Sequence, residues 1–223
     1  QRQMCIRDRL STALAAAQLL ENSEAVWHDP HKRSRNLYRI QNSVKNMVQL
    51  LDDILVINRA EAGKLEFNPN LLDLQPFFHQ FIEEIQLGVS NQYDFNFVCH
   101  NQDTKAWVDE RLIRSILSNL LSNAIKYSPD GGQINIILSL NSETIIVEVS
   151  DQGIGISAAD QKQIFEPFHR GRNVGNIAGT GLGLIVAKKC VDLHDGSICL
   201  KSAVDQGTTI TICLKRYNQS SQS

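Results

Sequence analysis

At 223 residues and 42% hydrophobic content, the chain is long enough for one large domain or two small ones with packed cores. A formal net charge of −2 and a pI near 6.3 exclude a whole-chain field that would draw it onto nucleic acid or an acidic membrane surface. The five cysteines, Cys5, Cys99, Cys190, Cys199 and Cys213, are odd in number, scattered and without CxxC spacing, which argues against a disulfide framework or zinc site and fits a reducing cytoplasm.

From Leu10 to Leu20 strong helix formers combine with apolar residues three and four apart, which predicts the tail of one helix. Asn22 to Pro30 breaks the pattern and reads as an interhelical loop, because Pro30 pushes Asp29 out of helical geometry. A second helix is expected from about His31 to Ala62. Leu37, Val44, Leu51 and Asn58 recur every seven residues there, with Ile40, Met47 and Ile54 three beyond the first three, a heptad seam. A helix of that length, on the order of 45 Å, cannot bury its stripe alone, whereas two such hairpins pairing into a four-helix bundle can. Residues 1–62 therefore read as a dimerisation hairpin. No apolar run approaches the roughly 20 residues of a membrane span and no signal segment opens the chain, so any membrane attachment is expected only through a region upstream.

Gly63 ends the second helix, and 63–70 reads as a linker into a second domain over 71–217. Its expected elements are a helix from Gln75 to Gln86, strands at Asp94–His100 and Lys105–Val108, and a helix from Asp109 to Tyr127. Strands at Gln133–Leu140 and Thr144–Ser150 follow, then a helix from Leu182 to Leu193 and a closing hairpin of Ser197–Ala203 with Thr208–Leu214. A mixed sheet with one layer of helices is an α+β sandwich. The polar residues 218–223 read as a disordered tail.

Three segments of this domain carry chemistry. Asn119, Asn123, Lys126 and Tyr127 fall at i, i+4, i+7 and i+8, on one helix face. Carboxamide oxygens suit a hard cation such as Mg²⁺, Lys126 can neutralise phosphate, and Tyr127 can meet a base or sugar; a solvated face with satisfied amides is the plainer alternative. Asp151 leaves its strand beyond the inward residues Ile145, Val147 and Val149. There a carboxylate can accept from the exocyclic amine of adenine and would repel guanine's carbonyl, while Gly153 and Gly155 let a flat base approach the backbone. A plain Asp-Gln-Gly turn is its alternative. Gly179, Gly181 and Gly183 alternate just before a helix, leaving backbone N–H groups aimed at anionic oxygens. Neither a Walker P-loop ending nor an acidic ribose partner in a βαβ unit accompanies them.

Together these segments resemble the catalytic part of a sensor histidine kinase, in the ATPase superfamily that also holds gyrase, Hsp90 and MutL. Asn119-Leu-Leu-Ser-Asn-Ala-Ile-Lys-Tyr127 resembles the N box, and Asp151-Gln-Gly-Ile-Gly155 the first glycine box. Phe165-Glu-Pro-Phe168 resembles the F box and Gly179-Thr-Gly-Leu-Gly183 the second glycine box, all in family order and spacing. The resemblance implies a Bergerat-type sandwich binding Mg·ATP, with Asn123 on Mg²⁺, Asn119 and Lys126 at the phosphates, and Asp151 reading adenine. It places Tyr127, Gly153, Gly155, Phe168, Gly179, Thr180, Gly181, Leu182 and Gly183 around the nucleotide, and Thr208 near the base. Residues 169–178, including Arg170, would form a mobile lid over it. Phe165 and Phe168 serve equally well as core aromatics, and strand propensity accounts for Thr208 almost as well. In the gyrase, Hsp90 and MutL branches a glutamate four residues before the metal-binding asparagine activates water. Asn119 stands there, and an amide cannot take the proton, so transfer to an external nucleophile fits better than hydrolysis.

The family's acceptor is a histidine on the first hairpin helix, and its partners are a second copy through the hairpin and a response regulator receiver domain. Aligning Leu10 with the last leucine of the acceptor box puts Met4 in the histidine's place and Cys5 where the neighbouring acid belongs. A thioether has no ring nitrogen to attack a γ-phosphate, so self-phosphorylation is not expected. Residues 1–9 depart abruptly from the family pattern, as at a truncated or foreign junction; a natural pseudo-acceptor subunit that pairs with an intact kinase is the alternative, and a superfamily ATPase a further one. His28 and His31 read as exposed loop residues, and His79, His100, His169 and His194 share no metal-ligand spacing.

Overall fold

The computed structural model describes residues 2–175, 177 and 179–217, with side chains from Leu10 onward; the tail expected at 218–223 lies outside the described residues. The chain divides into two compact units, Gln1–Asn58 and Arg59–Ser223. Among the described residues no helix is long and apolar enough to cross a membrane.

The first unit holds α1 (Arg2–Asn22), α2 (Glu24–Trp27) and all but the last three residues of the long α3 (Pro30–Glu61). The expected loop at 22–30 thus contains a single helical turn, closed by Val26 and Trp27 N–H groups on the Ser23 carbonyl. Pro30 takes the first helical position of α3, where its missing N–H costs nothing. Asp29 caps that helix, its Oδ1 accepting from His31 N at 3.0 Å and Lys32 N at 3.1 Å. On α3 the buried row is Asn36, Ser43, Leu50 and Ile57 with Asp53 and Ile54, one residue ahead of the first row of the heptad read from sequence. Leu37, Val44 and Leu51 of that heptad row stand exposed, next to Val48 and Leu55. A bundle helix faces two neighbours and needs a stripe wider than one seam; a single hairpin covers one edge of it.

In the second unit Gly63, at φ 63°, closes α3 with paired bonds from Gly63 N to Ala60 O and Lys64 N to Arg59 O. The expected linker ends in a strand, β1 (Asn70–Asp73), antiparallel to β3 (Lys105–Val108). Between them lie α4 (Leu74–Leu87) and β2 (Tyr93–Cys99), and after them come α5 (Glu110–Lys126), β4 (Gly132–Leu140) and β5 (Thr144–Asp151). A short α6 (Ala158–Gln161), one 3₁₀ turn (Arg172–Val174), α7 (Gly183–Leu193), β6 (Ser197–Ser202) and β7 (Thr208–Lys215) complete the domain. The five-stranded sheet runs β2-β4-β5-β7-β6, with β2 parallel to β4 and the other pairs antiparallel. Burial alternates along β4, β5 and β7, so Ile136, Val147 and Ile212 face the core with the apolar sides of the helices. Each such side chain stabilises the fold by about 1.5–3 kcal/mol.

A buried polar staple joins α5 and α7. Asp109, 1% exposed, caps α5 by accepting from Arg111 N at 3.0 Å and Leu112 N at 3.4 Å, and also holds Asn68 N at 2.9 Å. The Asp109 N–H reaches His194 Nε2 at 3.3 Å, while His194 Nδ1 lies 2.9 Å from the Cys190 carbonyl, which fixes the neutral Nδ1–H tautomer. Phe67 of the linker packs edge-on to that imidazole at 4.8 Å. Burial lowers the pKa of His194, against the Cys190 carbonyl and the charges of Asp109 and Asp195. The unfolded chain therefore binds a proton that the folded domain refuses, and stability is lost as pH falls below about 6.5 until the lower folded value is reached. Thermal melts between about pH 7.5 and 5 should show this loss, and His194→Phe should flatten the slope; an unaltered slope would remove His194 as its origin.

Candidate functional site

The C-terminal half of α5, with its capping residue Tyr127, presents the four polar residues on one side. Asn119 donates Nδ2 to the Ser115 carbonyl at 2.9 Å, which leaves Oδ1 open. The Asn123 carboxamide makes no hydrogen bond to the described residues, and Lys126 Nζ donates to Tyr127 OH at 2.8 Å, 4.3 Å from that ring's centroid. Burial raises the Tyr127 pKa, against the charge of Arg170.

The second glycine segment lies along this face. A Cβ at Gly183, the first residue of α7, would come within 2.6 Å of Asn119 Oδ1 and 3.8 Å of Asn123 Nδ2. One at Gly179 would collide with Lys126 Nζ and lie 3.5 Å from Tyr127 OH. Gly181, at φ 70°, sits against the Phe168 and His169 backbone, and its carbonyl accepts from Phe168 N at 2.9 Å. Phe168 itself has φ 63°, a left-handed conformation costly for a bulky residue and retained here where the F box buttresses the glycine turn. Thr180 Oγ1 accepts from Leu182 N at 3.3 Å, and Leu182 is wholly buried, so its side chain anchors the turn in the core. The Arg170 guanidinium donates to the Ile177 carbonyl. Positions 176 and 178 of the expected lid lie outside the described residues.

Asp151 ends β5, half-buried, opposite Thr208 on β7. Its Oδ1 accepts from Gly153 N at 2.9 Å and Thr208 N at 3.2 Å; Oδ2 has no hydrogen bond among the described residues. Burial raises the Asp151 pKa, against those two bonds. Ile154 N donates to the Tyr127 carbonyl at 2.9 Å, and a Cβ at Gly153 would strike that carbonyl, so the first glycine turn is strapped to the end of α5. Gly155, at φ 62°, abuts the Ala203 backbone in the same way.

Five residues not singled out in the sequence hold these parts. Gln161 Nε2 bridges the carbonyls of Ile156 and Ser202, each at 2.8 Å. Asn173 Nδ2 reaches the Gly155 carbonyl at 2.9 Å. Asp160 Oδ2 accepts from Ser157 Oγ at 2.8 Å and Arg172 N at 3.1 Å, with His169 Nε2 3.6 Å from Oδ1. Ser157 also caps α6, a Ser-x-x-Asp capping pattern that was open to view in the sequence. Ser202 carries no comparable signal, because its bond to Ile156 spans 46 residues and its bonds to Gly207 and Thr208 arise only where β6 pairs with β7. An open groove of about 620 Å³ lies at the other end of β5 and β7, where Thr144, Asp195 and Lys215 line it; it gathers none of the expected site residues. Among the described residues no cluster of three or more His, Cys, Asp or Glu side chains could hold a metal.

The profile of the histidine kinase-, DNA gyrase B- and HSP90-like ATPases matches residues 108–218. Sensor histidine kinase WalK of Bacillus subtilis is 31% identical over 196 residues, covering 86% of this chain and 32% of that protein. The chain likewise covers 46% of sensor histidine kinase RppB of Synechocystis, at 31% identity, so it spans a third to a half of these curated relatives. Acinetobacter baumannii histidine kinase AdeS shares the fold, with a TM-score of 0.74 at 23% identity over 95% of this chain and 97% of that one. Histidine kinase ThkA, in its complex with response regulator protein TrrA, shares it with a TM-score of 0.72 at 20% identity over 95% of this chain and 59% of that one.

Proposed function

The chain belongs to the histidine kinase-, DNA gyrase B- and HSP90-like ATPases as the catalytic core of a sensor histidine kinase, and from that membership we propose that residues 71–217 bind Mg·ATP for transfer of its γ-phosphate to a histidine. The observation that carries this is the meeting of the Asn119–Tyr127 face with the Gly179–Gly183 segment, beside an Asp151 that keeps one carboxylate oxygen open.

The residues present fit both groups. Asn123 offers an uncommitted carboxamide oxygen and Asn119 an open Oδ1, neutral ligands of the kind a hard cation takes beside phosphate oxygens and water. Held by these amides, a Mg²⁺ ion would supply neutralisation of phosphate charge. Lys126 adds a positive charge at the same wall, and the glycines before α7 bring backbone N–H groups to anionic oxygens. Asp151 Oδ2 accepts from the adenine amine, and Phe168 and Arg170 anchor the ends of the lid. Asn119 lacks a basic site for a water proton, so the pocket positions a phosphoryl group for an external acceptor instead of hydrolysing it.

Residues 1–62 form the dimerisation hairpin in this reading, and the exposed Leu37, Val44, Val48, Leu51 and Leu55 are the edge that a second copy covers. Residues 63–70 are the linker. The receiving partner is a response regulator receiver domain, the class bound by ThkA in its TrrA complex. With Met4 at the acceptor position, the chain retains Mg·ATP yet leaves its phosphate without the usual receiver. Incubation with γ-labelled ATP should give saturable nucleotide binding and no acid-labile phosphate on this chain. Phosphohistidine at His28 or His31 would overturn the acceptor assignment, and absence of saturable binding would overturn the pocket.

A further inference from the structure

Three adjacent strands end in a polar row. On β5, β7 and β6 the inward positions run Ile145, Val147, Val149, then Asp151; Ile210 and Ile212, preceded by Thr208; and Ile198 and Leu200, followed by Ser202. Thr208 pairs in register with Asp151 on one side and with Ser202 on the other. The three side chains therefore stand as cross-strand neighbours on the helix-facing side of the sheet, where its apolar rows stop.

The protons of this row can be counted. Ser202 Oγ lies 2.8 Å from Ile156 N, 2.8 Å from the Gly207 carbonyl and 2.9 Å from Thr208 Oγ1. Two oxygens at such distances need a proton between them, and each hydroxyl owns one. The Gly207 carbonyl owns none, so the Ser202 proton goes there. The Ser202–Thr208 proton must then come from Thr208, and Ile156 N supplies the third bond. Thr208 thus has its N–H committed to Asp151 and its hydroxyl proton committed to Ser202, and its lone pairs make no hydrogen bond among the described residues.

We propose that Ser202 is a positioning residue for base selection, holding Thr208 as a pure hydrogen-bond acceptor beside Asp151 Oδ2. This rests on the reading of Asp151 as the adenine-recognising residue. The resulting wall offers acceptors only. It suits the amine edge of adenine and repels the O6 carbonyl of guanine. Without Ser202, the Thr208 hydroxyl is released to rotate and donate, and a guanine carbonyl gains a partner.

Calorimetric titration with Mg·ATP and Mg·GTP tests this. Ser202→Ala should weaken ATP binding and reduce the ATP-over-GTP preference, each by about ten-fold, the scale of one hydrogen bond converted from donor exclusion to free rotation. Thr208→Val reaches the same bond from its other end without touching the Ile156 and Gly207 contacts, and keeps the test decisive if Ser202→Ala folds poorly. It should lower the preference similarly, and the double variant should be no less selective than Thr208→Val alone. Ser202→Thr keeps the hydroxyl and should restore selectivity. Equal losses for ATP and GTP in Ser202→Ala, or additive losses of selectivity in the double variant, would assign Ser202 a merely structural part and overturn the proposal. Asp151→Asn separates the two levels: if it leaves ATP affinity unchanged, the base-pocket reading itself falls and this inference with it, whereas a loss there combined with unaltered selectivity in Ser202→Ala overturns only the role of Ser202.

Discussion

Asp151→Asn is expected to weaken ATP binding about a hundred-fold, corresponding to about 2.7 kcal/mol. The substitution is nearly isosteric, so packing changes little. What changes is the hydrogen-bond inventory. Oδ1 already receives the N–H groups of Gly153 and Thr208. An amide oxygen placed there to keep those bonds puts its NH₂ where Oδ2 was, donor facing the adenine amine. Flipping the amide serves the base and instead confronts two backbone N–H groups with a third donor. Either way one buried group is left without a partner, which is the costly case. Calorimetry reads the result directly, and an unchanged affinity would remove Asp151 from base recognition. The wild-type carboxylate adds a pH signature. Burial raises its pKa, so ATP affinity should fall as acidification protonates the carboxylate, beginning above the ordinary aspartate value of 3.8.

Asn123→Ala should remove most of the Mg²⁺ dependence of nucleotide binding. The expected wild-type behaviour is ATP affinity higher in Mg²⁺ than in EDTA by about ten-fold or more, and the variant should bring the two within about two-fold. The geometry supports this because the carboxamide is held by no other described group and lies beside Gly183. Deletion should therefore cost the fold little and the metal much. A variant that melts as wild type yet keeps its full Mg²⁺ response would move the cation to Asn119, whose Oδ1 is the other open amide oxygen nearby.

The grouping of the candidate residues was legible in sequence because its parts are local. The spacing Asn119, Asn123, Lys126, Tyr127 fixes a helix face by the 3.6-residue turn alone, and the alternating glycines before Leu184 announce a turn into a helix. Burial alternation in β4, β5 and β7 likewise follows from period-two apolar residues. What escaped depended on how separate segments pair in the fold. β1 is four residues long, and antiparallel pairing to Lys105–Val108 makes it a strand. Ser202 acquires its meaning from Ile156, Gly207 and Thr208, and Gln161 from two carbonyls it bridges. His194 showed no ligand spacing and turns out to be a buried connector whose partner, Asp109, lies 85 residues away. The α3 stripe was legible as apolar but not as divided, because sequence shows which residues seek cover and not which neighbour supplies it.

The staple between Asp109 and His194 gives the pocket a mechanical character. It joins the start of α5 to the end of α7, while Asn119 and Asn123 on one helix meet Gly183 at the opposite end of the other. In the proposed reading the two helices would work as a pair of tongs, riveted at the heel and holding phosphate at the tips. A loosened rivet would alter no residue that touches the nucleotide, yet a small splay at the heel widens the gap at the tips, and the grip would lose alignment before it lost strength.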